Sequence, residues 1–193
     1  GMTIAGLSSC GNPSDIAREL TEVEATAEAA PCVDTLGNGV ITPVHNGQAG
    51  SPHVRVNWKV EGTNISITYG RPFLKGRIVG DTVEPLEDSV WRLGADEATT
   101  FSTSGDLMVG TTHVPAGTYT LWTLTSDDTT RLIINAETGQ WGTAYDQFRD
   151  VGRTTMTVGI LGTPANQLTL NIENSELRFE WGAMVASVPI MVH

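Results

Sequence analysis

From Ser51 onward the apolar residues fall on every second position, and that period constrains the fold class more than any other feature. Val54, Val56, Trp58 and Val60 alternate with Arg55, Asn57 and Lys59. Successive side chains of a strand point to opposite faces, so this spacing describes a strand with one buried face. Glu61-Gly62-Thr63-Asn64 supplies a turn, and Ile65, Ile67 and Tyr69 then alternate again, so the two segments are expected to form a hairpin. Further strands are expected over 98–102, 107–109, 118–124, 131–135, 154–160, 168–173, 177–181 and 184–192. Gly, Asp, Asn or Pro turns separate them at a spacing of roughly 8–12 residues, as in sandwiches and barrels. Asp127-Asp128 falls in a hairpin turn, and 143–151 admits one helical turn. The expected fold is all-β: an antiparallel, jelly-roll-like β-sandwich over 51–193, behind a leader, helix and linker over 1–50.

The leader is of another kind. Ile16, Leu20, Val23 and Ala27 recur at steps of four, three and four, which places them on one stripe of a helix over 16–30. Ser14 or Asp15 caps its start and Pro31 stops it. Such a helix either docks on the body or spaces it from an anchor. Residues 34–50, rich in Gly and Pro, read as linker with one short strand around 40–44. Both cysteines, Cys10 and Cys32, lie in the leader, so no thiol serves the body for metal binding or nucleophilic catalysis. They either pair as a disulfide, or Cys10 carries lipid, because Leu7-Ser8-Ser9-Cys10-Gly11 has the small residues of a lipobox. Either reading puts the protein in the cell envelope, periplasmic, extracellular or lipid-anchored. Membrane attachment is expected only through Cys10, since no run of eighteen apolar residues occurs.

Charge narrows the partners. The 193-residue chain carries 22 acidic and 11 basic residues, a formal net charge of −11. Nucleic acids and anionic membranes are held by basic surface, and this chain repels them. Against that background one cluster stands out. Arg71, Lys75, Arg77 and Arg92 fall close together, and Lys75 is one of only two lysines. Guanidinium forks grip carboxylates bidentately, so the cluster can form a pocket for a small anion such as a sugar acid. Two bland arrangements compete with that pocket. The cations can pair with Asp81, Glu84, Glu87, Asp88, Asp96 and Glu97 nearby, or Arg71 and Arg92 can anchor the bend by donating to backbone carbonyls.

Other chemistry is sparsely signalled. His45, His53, His113 and His193 show no HxH or HExxH spacing, so no metal site and no cofactor are expected. Neither a Gly-x-Ser-x-Gly elbow nor a phosphate-cradling glycine loop is present. Asp96 and Glu97 are the candidate catalytic carboxylates, although strand neighbours face opposite ways unless a loop holds them. Trp91, Trp122 and Trp141 are candidates for a sugar-stacking surface. Tyr119 and Trp122 lie on opposite strand faces, so one of them must sit outside the core or under a covering segment.

Several blocks also carry a resemblance. Ile67-Thr68-Tyr69-Gly70-Arg71-Pro72-Phe73-Leu74-Lys75-Gly76-Arg77 is one. The stretch from Val90-Trp91-Arg92-Leu93-Gly94 through Thr100 is another, followed by Pro115-Ala116-Gly117-Thr118-Tyr119-Thr120-Leu121. Ile133-Ile134-Asn135 leading to Gln140-Trp141-Gly142, and a closing Trp181-Gly182, complete the set. In this order over 51–192 the chain resembles the bacterial family called domain of unknown function 2911. The resemblance implies an exported, mostly β protein and brings no established reaction. Glu84-Pro85-Leu86-Glu87-Asp88 departs from the Pro-Tyr-Gly turn that the family tends to carry there.

The expected function is a non-enzymatic envelope protein binding a small polar or carbohydrate-like ligand through Arg71, Lys75, Arg77, Trp91 and Arg92, with Trp122 or Trp141 as stacking surface. The alternatives are a glycan hydrolase working through paired carboxylates and a scaffold with no small-molecule site.

Overall fold

The computed structural model describes residues 34–47 and 50–193. The expected helix over 16–30 and both cysteines lie outside the described residues. Within them the chain is nearly all β, in antiparallel sheets, with a 3-10 turn at Gln147–Arg149 and no α-helix.

The larger sheet begins with β1 (Thr35–Leu36) and β2 (Gly39–His45), inside the stretch that reads as linker. It continues through β3 (His53–Val60), β4 (Thr63–Gly70), β5 (Val90–Trp91) and β6 (Thr99–Thr103). A smaller sheet takes β7 (Leu107–Val109) and β8 (Thr112–Val114), while β9 (Gly117–Ser126), β10 (Thr129–Asn135) and β11 (Asp150–Thr155) return to the larger one. The long strands β12 (Thr157–Glu173) and β13 (Glu176–Val192) complete the smaller sheet. The strand orders are β1-β2-β3-β4-β6-β9-β10-β11, with β5 added beside β9, and β12-β13-β7-β8.

The expected β3–β4 hairpin forms, with Val56 opposite Ile67 and Trp58 opposite Ile65. The expected strand over 154–160 is divided at buried Met156, whose N–H bonds the Thr130 carbonyl. There the chain leaves β10's edge in the larger sheet and enters the smaller one. A left-handed pair, Asp127 and Asp128, makes the β9–β10 turn, and Asn174 and Ser175 do the same between β12 and β13. These short polar side chains tolerate positive φ better than most.

One buried cluster draws from both sheets, including Val56, Ile67 and Phe101 of the larger and Leu170, Phe179 and Trp181 of the smaller. A second, smaller cluster of Ala98, Trp122 and Ile133 lies apart from it. Tyr119 and Trp122 are therefore both buried although they face opposite ways. The segment after β10 resolves this, because its Tyr145 ring packs on Trp122 with centroids 5.1 Å apart.

Asn135 holds that covering segment in place. Its side chain is fully buried and donates to the Asp146 carbonyl at 2.8 Å and to Asp150 Oδ1 at 2.9 Å, while accepting from Glu137 N–H at 2.9 Å. Removing one partner from a buried hydrogen bond costs about 1–3 kcal/mol. Asn135→Ala should lower stability by about that amount in urea melts and accelerate amide exchange over 136–149 ahead of the core.

Candidate functional site

The site grows out of a mismatch along one edge of β9. β6 pairs with the first half of that edge, from Thr103↔Gly117 to Thr99↔Leu121, and β5 pairs with the second half through Trp91↔Thr123. Residues 92–98 cannot stay in the sheet between these two partners and are pushed out as a loop. Leu93 (φ 53) and Asp96 (φ 63) take left-handed backbone to make the bend. Gly142 permits the close approach that pins it, since its N–H bonds the Asp96 carbonyl at 3.1 Å and a Cβ there would overlap the Arg92 side chain.

A second loop, 71–89, leaves β4 and lies across β12. Leu74 N–H bonds the Asn166 carbonyl and Leu168 N–H bonds the Pro72 carbonyl. Between the two loops opens a cavity of about 420 Å³. Lys75, Arg77 and Arg92 line it together with Trp91, Trp181, Glu84 and Asp96. Among the described residues no carboxylate oxygen comes within 4.0 Å of a nitrogen of Arg71, Lys75, Arg77 or Arg92. The Arg92 Nε is buried without a hydrogen-bond partner.

Not every expected residue takes part. Arg71 is spent on structure, donating from Nε to the Leu168 carbonyl and from Nη2 to Thr169 Oγ1, both at 3.1 Å, and is not among the cavity's lining residues. Arg77 gives Nε and Nη2 to the Leu74 and Phe73 carbonyls but still borders the cavity. Trp91 is buried, with Nε1 donating to the Gly94 carbonyl, so it forms wall rather than a stacking plate. Trp122, 1 % exposed, offers no face to a ligand because the 136–149 segment covers it. Trp141 is half-exposed and pairs through its backbone with Glu97, outside the cavity.

Asp96 and Glu97, held in a loop, do converge, but on one imidazole ring. His53 Nε2 lies 2.7 Å from Glu97 Oε2 and 3.9 Å from Asp96 Oδ2. His53 shares the outward parity of Arg55 and Asn57, yet it is buried because the loop and β2 cover it. Its cross-strand partner in β2 is His45 and in β4 is Gly70. The imidazoles of His45 and His53 stack 4.2 Å apart, and a Cβ at Gly70 would strike both His53 and the Ala95 carbonyl. The position therefore excludes side chains so that ring and loop can meet. A smaller cavity of about 220 Å³, lined by His45, His53, Tyr69, Glu97 and Gln140 among others, adjoins the ring.

Sequence spacing showed no metal-ligating set, yet the fold brings His45, His53 and Glu97 donors within 4.8 Å of one another. The one signal for it was the pair of histidines flanking a short connection, which becomes a cross-strand pair once β2 is recognised as a strand.

The model of a family described as "Protein of unknown function (DUF2911)" matches residues 51–190. The chain belongs to this family. The match covers β3 to β13 and both site loops, while His45 precedes it. No curated protein and no solved structure matches this DUF2911 chain.

All three tyrosines are held protonated beyond the usual phenol range. Burial raises Tyr69, with the Arg71 charge and the Leu170 N–H pulling part of the way back. Burial and then the Asp106 charge raise Tyr119. Tyr145 is pushed up to about 12, by burial first and then by the Asp150 carboxylate that accepts its hydroxyl proton, Arg153 opposing. Their native-state pKa values exceed the unfolded ones, so the stabilisation is whole below pH 10 and is lost as pH climbs through the native values, about 12 for Tyr145. Absorbance at 295 nm should show no tyrosinate step at pH 10 while the fold persists, and Tyr145→Phe should remove a step near pH 12.

Proposed function

We propose that this DUF2911 protein is a non-enzymatic binder of a small anionic, sugar-acid-like ligand in the cavity between loops 71–89 and 92–98. The observation that carries the reading is that Lys75, Arg77 and Arg92 border one cavity of about 420 Å³ with no carboxylate of the described residues within 4.0 Å of them. A chain of net charge −11 that gathers cations without pairing them leaves their field available to an anion. Arg92 supplies a buried donor and Lys75 an exposed, mobile charge at the mouth, while Trp91 and Trp181 give apolar walls. Glu84 and Asp96 share the lining and select for a ligand that also presents hydroxyl donors. That combination of carboxylate and hydroxyls is the chemistry of an oxidised sugar.

The core shared by both sheets supports reading them as the layers of a sandwich, with this cavity at one border. An exported, envelope-located protein accords with cysteines confined to Cys10 and Cys32. Among the described residues no helix is long and apolar enough to cross a membrane. The larger groove, about 590 Å³, is lined mainly by apolar residues such as Ile78, Val158, Ile160 and Met184, and Arg77 borders it as well.

Thermal-shift and calorimetric titration with uronic acids and small hydroxycarboxylates should give saturable stabilisation that weakens with salt. Lys75→Ala and Arg92→Ala should each lower affinity about 10–100-fold, the loss of a charge-assisted contact. Arg71→Ala should lower the melting temperature and keep the ligand-induced shift. No response to any of these acids, or a shift that survives both cavity variants, removes the reading.

A further inference from the structure

We infer that His45, His53 and Glu97 form a binding site for a divalent transition-metal ion of the zinc type. The ring of His53 is only 3 % exposed. Its Nδ1 lies 3.1 Å from the Ser51 carbonyl, which can only accept, so Nδ1 donates and Nε2 is the nitrogen left to meet the 92–98 loop. That Nε2 then faces oxygens alone: Glu97 Oε2 at 2.7 Å, the Ala95 carbonyl at 3.1 Å and Asp96 Oδ2 at 3.9 Å. A proton on Nε2 serves the nearest of these oxygens, whereas a divalent cation there would engage the ring and the carboxylates together. An imidazole whose second nitrogen is tied to a backbone carbonyl is also the usual arrangement of a metal-bound histidine.

A second observation points the same way. The Asp96 side chain is 7 % exposed and its Oδ2 has no hydrogen-bond partner, although it is aimed at His53. Across the small cavity, Gln140 Oε1 is likewise buried without a partner among the described residues. Bonds of about 2.0–2.2 Å place tetrahedral donors about 3.3 Å apart. The His53–Glu97 and His45–Glu97 separations, 2.7 and 3.5 Å, bracket that distance.

Two imidazoles and one carboxylate suit zinc-like ions rather than magnesium or calcium, which take oxygen. Glu97 and Asp96 together balance the ion's charge. In the metal-bound form His45, which is exposed, gives up the 2.9 Å bond from Gly47 N–H to its Nδ1 and ligates through the nitrogen facing Glu97. The fourth position opens on the 220 Å³ cavity, where Gln140 Oε1 can accept from a bound water.

The test uses the full chain, free of affinity tags, stripped with chelator, and carrying Cys10→Ser and Cys32→Ser so that no thiol competes. Titration with zinc chloride against a chelating dye should show one tight site per chain, with a rise in melting temperature that magnesium does not reproduce. His45→Ala and Glu97→Gln change side chains that are partly exposed, so both should fold, and each should weaken binding by more than about tenfold. His113→Ala, far along the chain and beside Asp106, should leave binding unchanged. Absence of saturable binding would show that no ion joins the two histidines to Glu97. Equal binding by His45→Ala and Glu97→Gln would place the ion elsewhere. Either result overturns the assignment.

Discussion

β9 is longer than either strand available to one of its edges, and the site follows from that inequality. β5 and β6 share the edge end to end, so the residues joining them must leave the sheet. Backbone ejected from a sheet needs new hydrogen-bond partners. The 92–98 loop finds them in the Gly142 N–H and in the Gln140 carbonyl, which accepts from Ala98. The same pinning turns Arg92 toward one cavity and Glu97 toward another, with Asp96 and His53 between them. The cation-lined cavity and the histidine cluster are thus two faces of a single strained loop.

Electrostatics explains why these faces differ. The body is acidic, and its cations fall into two kinds. Arg71, Arg153 and Arg178 are committed to hydrogen bonds or ion pairs that hold strands and loops together. Lys75 and Arg92 are not paired with any described carboxylate, though Glu84 and Asp96 line the same cavity. Buried unsatisfied donors and acceptors are expensive, and Arg92 Nε, Asp96 Oδ2 and Gln140 Oε1 lie beside these two cavities, where the proposed ligand and ion would complete the network.

Local pattern carried far. The alternation of Val54, Val56 and Trp58 and the Glu61-Gly62 turn specified a hairpin, which β3 and β4 form. The crowding of cations between Arg71 and Arg92 likewise pointed to the region where Lys75, Arg77 and Arg92 meet. Trp122 shows the limit. Its parity placed it away from Tyr119, but only the anchoring of the next segment by Asn135 decided that it is covered rather than exposed. Arg71 shows another, since a carbonyl acceptor almost a hundred residues away leaves no trace in local charge spacing.

Sequence alone determined the β character, the hairpin turns, the acidic surface and the segment bearing the cations, because each depends on neighbours within a few positions. Tertiary structure decided that His53 is buried on an outward face, that His45 stands opposite it, and that Asp96 and Glu97 converge on its ring. The reason is geometric: strand parity assigns a side chain to a face, but whether that face meets water depends on a loop expelled elsewhere in the sheet.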